Sequence, residues 1–394
     1  MRNAIKSYFY CNKNNLNMLF ACNKISAMIW NKILDLQHEY RKNNNGKWIS
    51  KAELQKKLKG IYPLNSQSVQ AVTDKYCDAR LATKNARDKG LENKYPYRHK
   101  SNYPTTWKKD SFKLDVKTGK LKLSLGIFEH KIQKPLEIKL PKSTLLAIGK
   151  SKIQQISLIW DGWLKVAIVI EDGKEETEKI QSNVICGIDL GEIHSIAAFE
   201  SGGNAVMITG RYLRSIKQYQ AKKLAEFDRK IAKCKNNSLR YKKLRRAKRR
   251  MLQKTNAQIQ DCNHKITRTF VKWAFENKIA KVYVGNPEGV QRKKKGKKVN
   301  QKLSRWNFGI HIKYLEYKLA EAGIKLEKIN EAYSTQTCPK CGRRHKCNSR
   351  NYKCSCGYAA HRDIHGARNI LSLGLNKKIC ITTEIKEKKY LRTA

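Results

Sequence analysis

Two aspartates sit where solubility alone does not account for a charge. Asp189 lies in Gly187-Ile188-Asp189-Leu190-Gly191, at the tip of an apolar run and just before a glycine turn. A carboxylate in a buried strand is costly unless it is paired or binds a cation. An aspartate there also suits the plainer task of capping the turn at Gly191. Asp363 lies in H-R-D-I-H-G-A-R-N-I-L, where Ala367, Ile370 and Leu371 define a helix with the acid in its first turn. A helix N-terminus favours negative charge by itself, which is the competing explanation. Carboxylates brought together repel and tolerate proximity only with cations between them. Two divalent ions about 4 Å apart hydrolyse phosphodiesters, one activating water and the other stabilising the leaving oxygen.

A second chemistry is written in cysteines. Cys338-Pro339-Lys340-Cys341 and Cys354-Ser355-Cys356 supply four soft ligands suited to tetrahedral zinc. Gly342 and Gly357 follow the pairs, where the backbone must turn around a metal. The second pair is C-x-C where C-x-x-C is commoner, which leaves Cys347 and His345 as alternative ligands. A closed four-ligand site is structural, so zinc is assigned no catalytic role. Cys22, Cys77, Cys186 and Cys262 stand among apolar neighbours and read as small core residues. Without a secretory context the cysteines imply a reducing, intracellular compartment, cytoplasmic and associated with the nucleoid.

The chain of 394 residues carries 84 Lys and Arg against 32 Asp and Glu, formally +52. Such a protein repels itself unless a polyanion neutralises it, and nucleic acid fits best because each neutralised phosphate releases a counterion. A membrane fits worse: there is no apolar run of about 18 residues and no signal-peptide pattern. At 40% hydrophobic residues there is material for packed cores, and the length allows several domains.

The elements that must position these residues follow from periodicity. Residues 1–10 read as a strand, and Leu19, Cys22, Ile29, Ile33 and Leu36 mark a helix over 16–40. Ser50 with Glu53 is a capping box for a second helix, and a third is expected around 65–88. From Ser111 the period changes to two, with hairpins at Lys117-Thr118-Gly119 and Asp161-Gly162, and 171–182 reads as a linker. The remainder alternates strands and helices: strands at 184–190, 195–199, 282–284 and 324–329, a helical pair over 211–278, and a helix from Phe308 to Leu319.

G-I-D-L-G, the arginine-rich helical pair, A-G-I-K-L, E-A-Y-S-T-Q-T-C-P-K-C-G and C-S-C-G-Y-A-A-H-R-D-I-H-G-A-R-N-I-L together resemble the TnpB proteins, transposon-encoded relatives of type V CRISPR effectors and of Fanzor. The resemblance implies a multidomain α/β chain: an RNase H-like (RuvC) nuclease domain with an inserted zinc ribbon, preceded by a small β-barrel that carries an inserted helical domain. In these terms 1–18 and 100–182 form the wedge-like β-barrel, 19–99 the helical recognition domain, 183–333 with 359–380 the nuclease domain, 334–358 the zinc ribbon and 381–394 a basic tail.

The resemblance also implies an RNA-guided DNA endonuclease of a transposable element, cutting double-stranded DNA with Mg²⁺ beside a short flanking motif, as a monomer or as a dimer on one guide RNA. Asp189 and Asp363 match the first and last RuvC acids. The middle acid departs from the pattern, because the strand that most of the family ends with glutamate here ends in Gly285-Asn286. Glu288 in the following loop is one substitute, and a nuclease-inactive, repressor-like protein is another reading. The third is Glu331, just ahead of Tyr333-Ser334, where Fanzor and some TnpB branches carry their acid. Glu331 is the expected ligand, since neighbouring strands end at one edge, and zinc would then hold the loop between Glu331 and Asp363. Arg245, Arg246, Arg249 and Arg250, with Lys293, Lys294 and Lys295, are candidates for backbone contacts to the guide–target duplex, which is read by shape. Tyr95, Tyr97, Tyr103 and Trp107 are candidates for stacking on bases, or for core packing.

Overall fold

The computed structural model describes residues 2–160, 162–171, 173, 178–286, 296, 306–347, 349–381 and 383–392. It divides the chain into two compact units, Met1–Glu175 and Glu176–Ala394.

The first unit runs β1 (Arg2–Ser7), α1 (Lys13–Asn43), α2 (Lys51–Leu58), α3 (Ser66–Asp88), β2 (Thr105–Lys108), β3 (Phe112–Asp115), β4 (Lys120–Leu123), β5 (Ile127–Phe128), β6 (Lys131–Ile132), β7 (Leu136–Lys139), α4 (Lys142–Ile148), β8 (Lys152–Trp160) and β9 (Leu164–Glu171). The expected helices form, and their caps are those the residue types dictate. Ser50 accepts from the Glu53 amide at 3.1 Å, one half of a capping box. Leu19, Cys22, Ile29 and Ile33 turn the same face of α1 into the core. The turn between β3 and β4 is closed by Asp115, which accepts from the Lys117 amide at 3.0 Å. Gly119 supplies the left-handed residue there, with φ +72°.

Where a small barrel is expected, the described strands form two antiparallel sheets, ordered β1-β9-β8-β2 and β3-β4-β7, with β5 and β6 as a separate ribbon. A tight turn at Lys109–Ser111, in which the Ser111 hydroxyl donates to the Lys108 carbonyl at 2.6 Å, carries the chain from one sheet to the other. The ladder is broken there.

The second unit contains β10 (Ile185–Asp189), β11 (His194–Glu200), β12 (Asn204–Thr209), α5 (Arg211–Ala232), α6 (Leu239–Glu276), β13 (Lys281–Asn286), α7 (Phe308–Glu321), β14 (Lys325–Asn330), β15 (Asn351–Lys353), β16 (Ala359–His361), α8 (Arg362–Asn376) and β17 (Glu387–Leu391). Its sheet has the order β14-β13-β10-β11-β12-β17. β10, β11 and β12 form an antiparallel meander, whereas β13 and β14 run parallel to β10. Leaving β17 aside, this is the strand order of an RNase H-like sheet. The segment read as a basic tail is partly this sixth strand: Asn204 to Ile208 pair in parallel with Glu387 to Leu391.

Alternation along the strands decides what faces what. Cys186 and Ile188 of β10, with Val282 and Val284 of β13, pack with Ile266 and Phe270 of α6 and Leu315 and Leu319 of α7. Tyr283 turns to the opposite face, against Ala367, Ile370 and Leu371 of α8. That second helix lies close to the sheet because glycines let it. A Cβ at Gly187 would fall 2.3 Å from the Ala367 carbonyl oxygen, and one at Gly374 would fall 2.2 Å from the Tyr283 ring. Glycine inside a helix costs about 1 kcal/mol relative to alanine, a cost retained at Gly374 because it seats α8 against Tyr283 of β13. Gly187→Ala should therefore destabilise by roughly 3 kcal/mol, the upper end for overpacking. It would read as a lower urea midpoint at unchanged slope.

Candidate active site and metal centre

Each acid is delivered by a strand or helix end. Asp189 closes β10, on the same face as Gly187 and hence toward α8. A Cβ on Gly366 of α8 would come within 2.6 Å of Asp189 Oδ2, so the helix passes directly beside that carboxylate. Glu331 lies one residue beyond β14, whose Asn330 pairs with Asn286 at the end of β13. The space at the end of β13 is open because residue 285 is glycine. A Cβ there would meet Glu331 Oε2 at 2.2 Å and Glu331 Cβ at 2.9 Å. The space beside Gly285 at the end of β13 is thus filled by the carboxylate that follows β14. Asp363 sits in the first turn of α8. Its amide donates to His361 Nδ1 at 3.3 Å, and its Oδ2 lies 2.6 Å from Nδ1 of His194.

Asp189, Glu331 and Asp363 line one cleft of about 360 Å³, together with Glu192, Trp306, Arg350, His361 and Arg362. Burial and the neighbouring acids dominate the electrostatics of Asp189. Burial, then Asp363 and Glu331, push the Asp189 carboxyl up to about 8. Burial likewise raises Glu331. Burial works the same way on Asp363, but the hydrogen bond and charge of His194 outweigh it and hold this carboxyl low. A cleft that makes one acid keep its proton near neutrality favours a divalent ion in the proton's place. Glu288, the alternative acid, lies outside the described residues.

The four knuckle thiols converge. Cys338 and Cys356 have their sulfurs 3.5 Å apart, as do Cys341 and Cys354. One ligand atom from each of the four lies within 4.8 Å of the others. Zinc–sulfur bonds of about 2.3 Å in a tetrahedron require sulfurs roughly 3.8 Å apart, so this donor set fits zinc. The C-x-C pair suffices without the alternatives. Cys347 hydrogen-bonds to Ser349 and to the Asn351 carbonyl, and the His345 ring packs tilted against Tyr352. The Asn369 amide of α8 donates to the Ser334 and Thr337 carbonyls at 2.7 and 2.8 Å, which ties the knuckle's approach to the helix carrying Asp363.

The basic candidates divide. Arg245, Arg246, Arg249 and Arg250 lie on α6 with exposed side chains, and Arg245 rests over the Tyr241 ring. Lys293, Lys294 and Lys295 lie outside the described residues. Of the aromatic candidates, Trp107 is fully buried and Tyr103 packs on Trp30, so these two serve the core. Tyr95 packs on Trp48, while Tyr97 is exposed. Sequence reasoning passed over His194 and His361. A buried histidine opening a strand gives no spacing signal, and its value lies in a contact with Asp363, far along the chain.

Two family profiles match this chain: one described as a probable transposase (OrfB of IS605) over residues 167–291, and one described as a Cas12f1-like TNB domain over residues 308–370. A TnpB-like protein of Acidianus two-tailed virus is 25% identical over 196 residues, 49% of this chain and 42% of that protein. In sequence the chain is thus similar to TnpB-like proteins. Cas12f1 of Sulfoacidibacillus thermotolerans, named a CRISPR-associated endodeoxyribonuclease, is 36% identical over 81 residues, 20% of this chain and 19% of that one. These matches span less than half the length of either relative. A cryo-EM structure of a Cas12f1–sgRNA–target DNA complex superposes with a TM-score of 0.67 at 14% identity, covering 91% of this chain and 83% of that one. The chain accordingly shares the fold of that Cas12f1 protein, and the thiol cluster fits a zinc ribbon. Among the described residues no helix is long and apolar enough to cross a membrane.

Proposed function

We propose that this protein is an RNA-guided DNA endonuclease of the TnpB kind, with Asp189, Glu331 and Asp363 as the acids of a RuvC-type site that takes Mg²⁺. The observation that carries the reading is steric. Glu331 fills the volume that Gly285 leaves open, in one cleft with the other two acids. A chain that had merely lost its middle acid would have no reason to set a carboxylate there. Divalent ions held by these acids would supply water activation and leaving-group stabilisation for phosphodiester hydrolysis. The chain's own part is to hold three carboxylates at one sheet edge. His194 fixes the orientation of Asp363, and Arg350 and Arg362 bring positive charge to the cleft for a phosphate backbone. The relative of known structure is described with a guide RNA and target DNA, and the net charge of +52 suits such partners. Residues 19–99 would then act as the recognition helices, with 1–18 and 100–182 as the wedge.

The test is cleavage of a matched plasmid by protein purified with its RNA and supplied with Mg²⁺. Linear product is expected; intact plasmid that is bound but uncut would leave an RNA-guided repressor instead. Replacing Arg245, Arg246, Arg249 and Arg250 together with alanine should weaken DNA binding irrespective of target sequence. It should also reduce the salt slope of log K by up to about 0.9 for each phosphate contact removed.

A further inference from the structure

Among the described residues a second group is close enough to share a single ion. It consists of His194, His361 and Asp363, with one ligand atom from each lying within 4.8 Å of the others. Asp189 and Glu331 line the same cleft but do not belong to this group. We propose that His194, His361 and Asp363 form a mixed nitrogen–oxygen site for a divalent first-row transition ion, so that one of the ions in this cleft is bound through imidazole. The proposal rests on the reading of Asp363 as an ion ligand and adds to it a metal class that three carboxylates would not select.

The ligand chemistry sets the class. Mg²⁺ demands oxygen donors in near-ideal octahedral geometry and sheds water reluctantly. Imidazole is a softer donor that suits transition ions. Both rings are fixed before any ion arrives. His194 is 4% exposed, at the start of β11. Its Nδ1 sits 2.6 Å from Asp363 Oδ2, a hydrogen bond that orders these two side chains against each other. Tyr390 of β17 meets the His194 ring edge-on at 5.6 Å, so the last strand of the sheet helps to hold it. His361 lies edge-on to His194 at 5.3 Å and is held as the cap of α8 by the Asp363 amide. It also lines the cleft itself, where an ion would enter. Preorganised ligands lose little freedom on binding.

The experiment uses the full chain with its zinc in place and Mn²⁺ as the probe, without nucleic acid. Electron spin-echo spectroscopy of bound Mn²⁺ should show modulation from directly coordinated ¹⁴N. Calorimetry should give Mn²⁺ binding at least about tenfold tighter than Mg²⁺, a difference of ~1.4 kcal/mol. His361→Ala and His194→Gln should each weaken the nitrogen signal and narrow the Mn²⁺/Mg²⁺ ratio toward one. The wild-type spectrum is decisive by itself, so a variant that fails to fold does not shield the idea. Mn²⁺ bound with oxygen and water ligands only would overturn it. So would a nitrogen signal unchanged in both folded variants. Mg²⁺-supported plasmid cleavage is read separately, so loss of the nuclease reading and loss of this site give different results.

Discussion

Glu331→Ala is expected to lower plasmid cleavage by at least about 10³-fold, because a metal-holding carboxylate stabilises transition-state charge by several kcal/mol and each ~1.4 kcal/mol is tenfold in rate. Glu288→Ala should leave the rate within a factor of about two, since on this reading Glu331 already supplies the third acid. The stronger form of the experiment moves the acid back. A Cβ at position 285 would lie 2.2 Å from Glu331 Oε2, about the reach of an aspartate's oxygens from its own Cβ. Gly285→Asp combined with Glu331→Ala should therefore recover at least about tenfold over Glu331→Ala alone. Gly285→Asp in the presence of Glu331 should instead damage the site, by collision and by like-charge repulsion. The signature is this sign reversal, because neighbouring residues couple where distant ones add. Cutting that survives Glu331→Ala would dismiss the relocated acid, and cutting restored by neither arrangement would dismiss the geometric account of it.

That pairing shows what the sequence could and could not reveal. An apolar run identified β10, and Gly187-Ile188-Asp189-Leu190-Gly191 its end, because burial on both faces forces such a run; strands were also expected at 282–284 and 324–329, where β13 and β14 lie. The Cys338–Cys356 set was legible from spacing alone, since zinc geometry constrains it. Gly285 was legible only as an absence. Its positive meaning, room for a side chain from the next strand, needs the β13–β14 register, which no local pattern encodes. β17 was missed for a related reason. Glu387-Lys388-Lys389-Tyr390-Leu391 pairs at a sheet edge with three exposed charged residues leading it, and an edge strand needs little apolar character. The aromatic residues stood between two readings, and the structure chose for Tyr103 and Trp107: both lie in a basic stretch, yet Trp107 donates to the Ser124 carbonyl at 2.8 Å from within the core.

Loss of the zinc centre should be as damaging to cutting as loss of an acid, by a longer route. Cys338→Ser with Cys341→Ser should reduce bound zinc from one per chain to none, whereas Cys347→Ser should retain it, because that thiol bonds to Ser349 and Asn351 instead. Structural zinc in small modules contributes an apparent 10–16 kcal/mol or so at pH 7, far more than the short hairpin of β15 and β16 could replace. Without the ion, the segment from Cys338 to Cys356 loses its closure, and three contacts lose their support: Tyr352 stacked on His365 at 3.9 Å and the two bonds from Asn369. Those contacts set the start of α8, and so the position of Asp363 relative to Glu331. Cleavage should therefore fail in the double variant at any Mg²⁺ concentration, while the sheet stays folded by far-ultraviolet circular dichroism. Recovery at high Mg²⁺ would mean that the acids are held without the knuckle, and that zinc serves some contact away from the cleft.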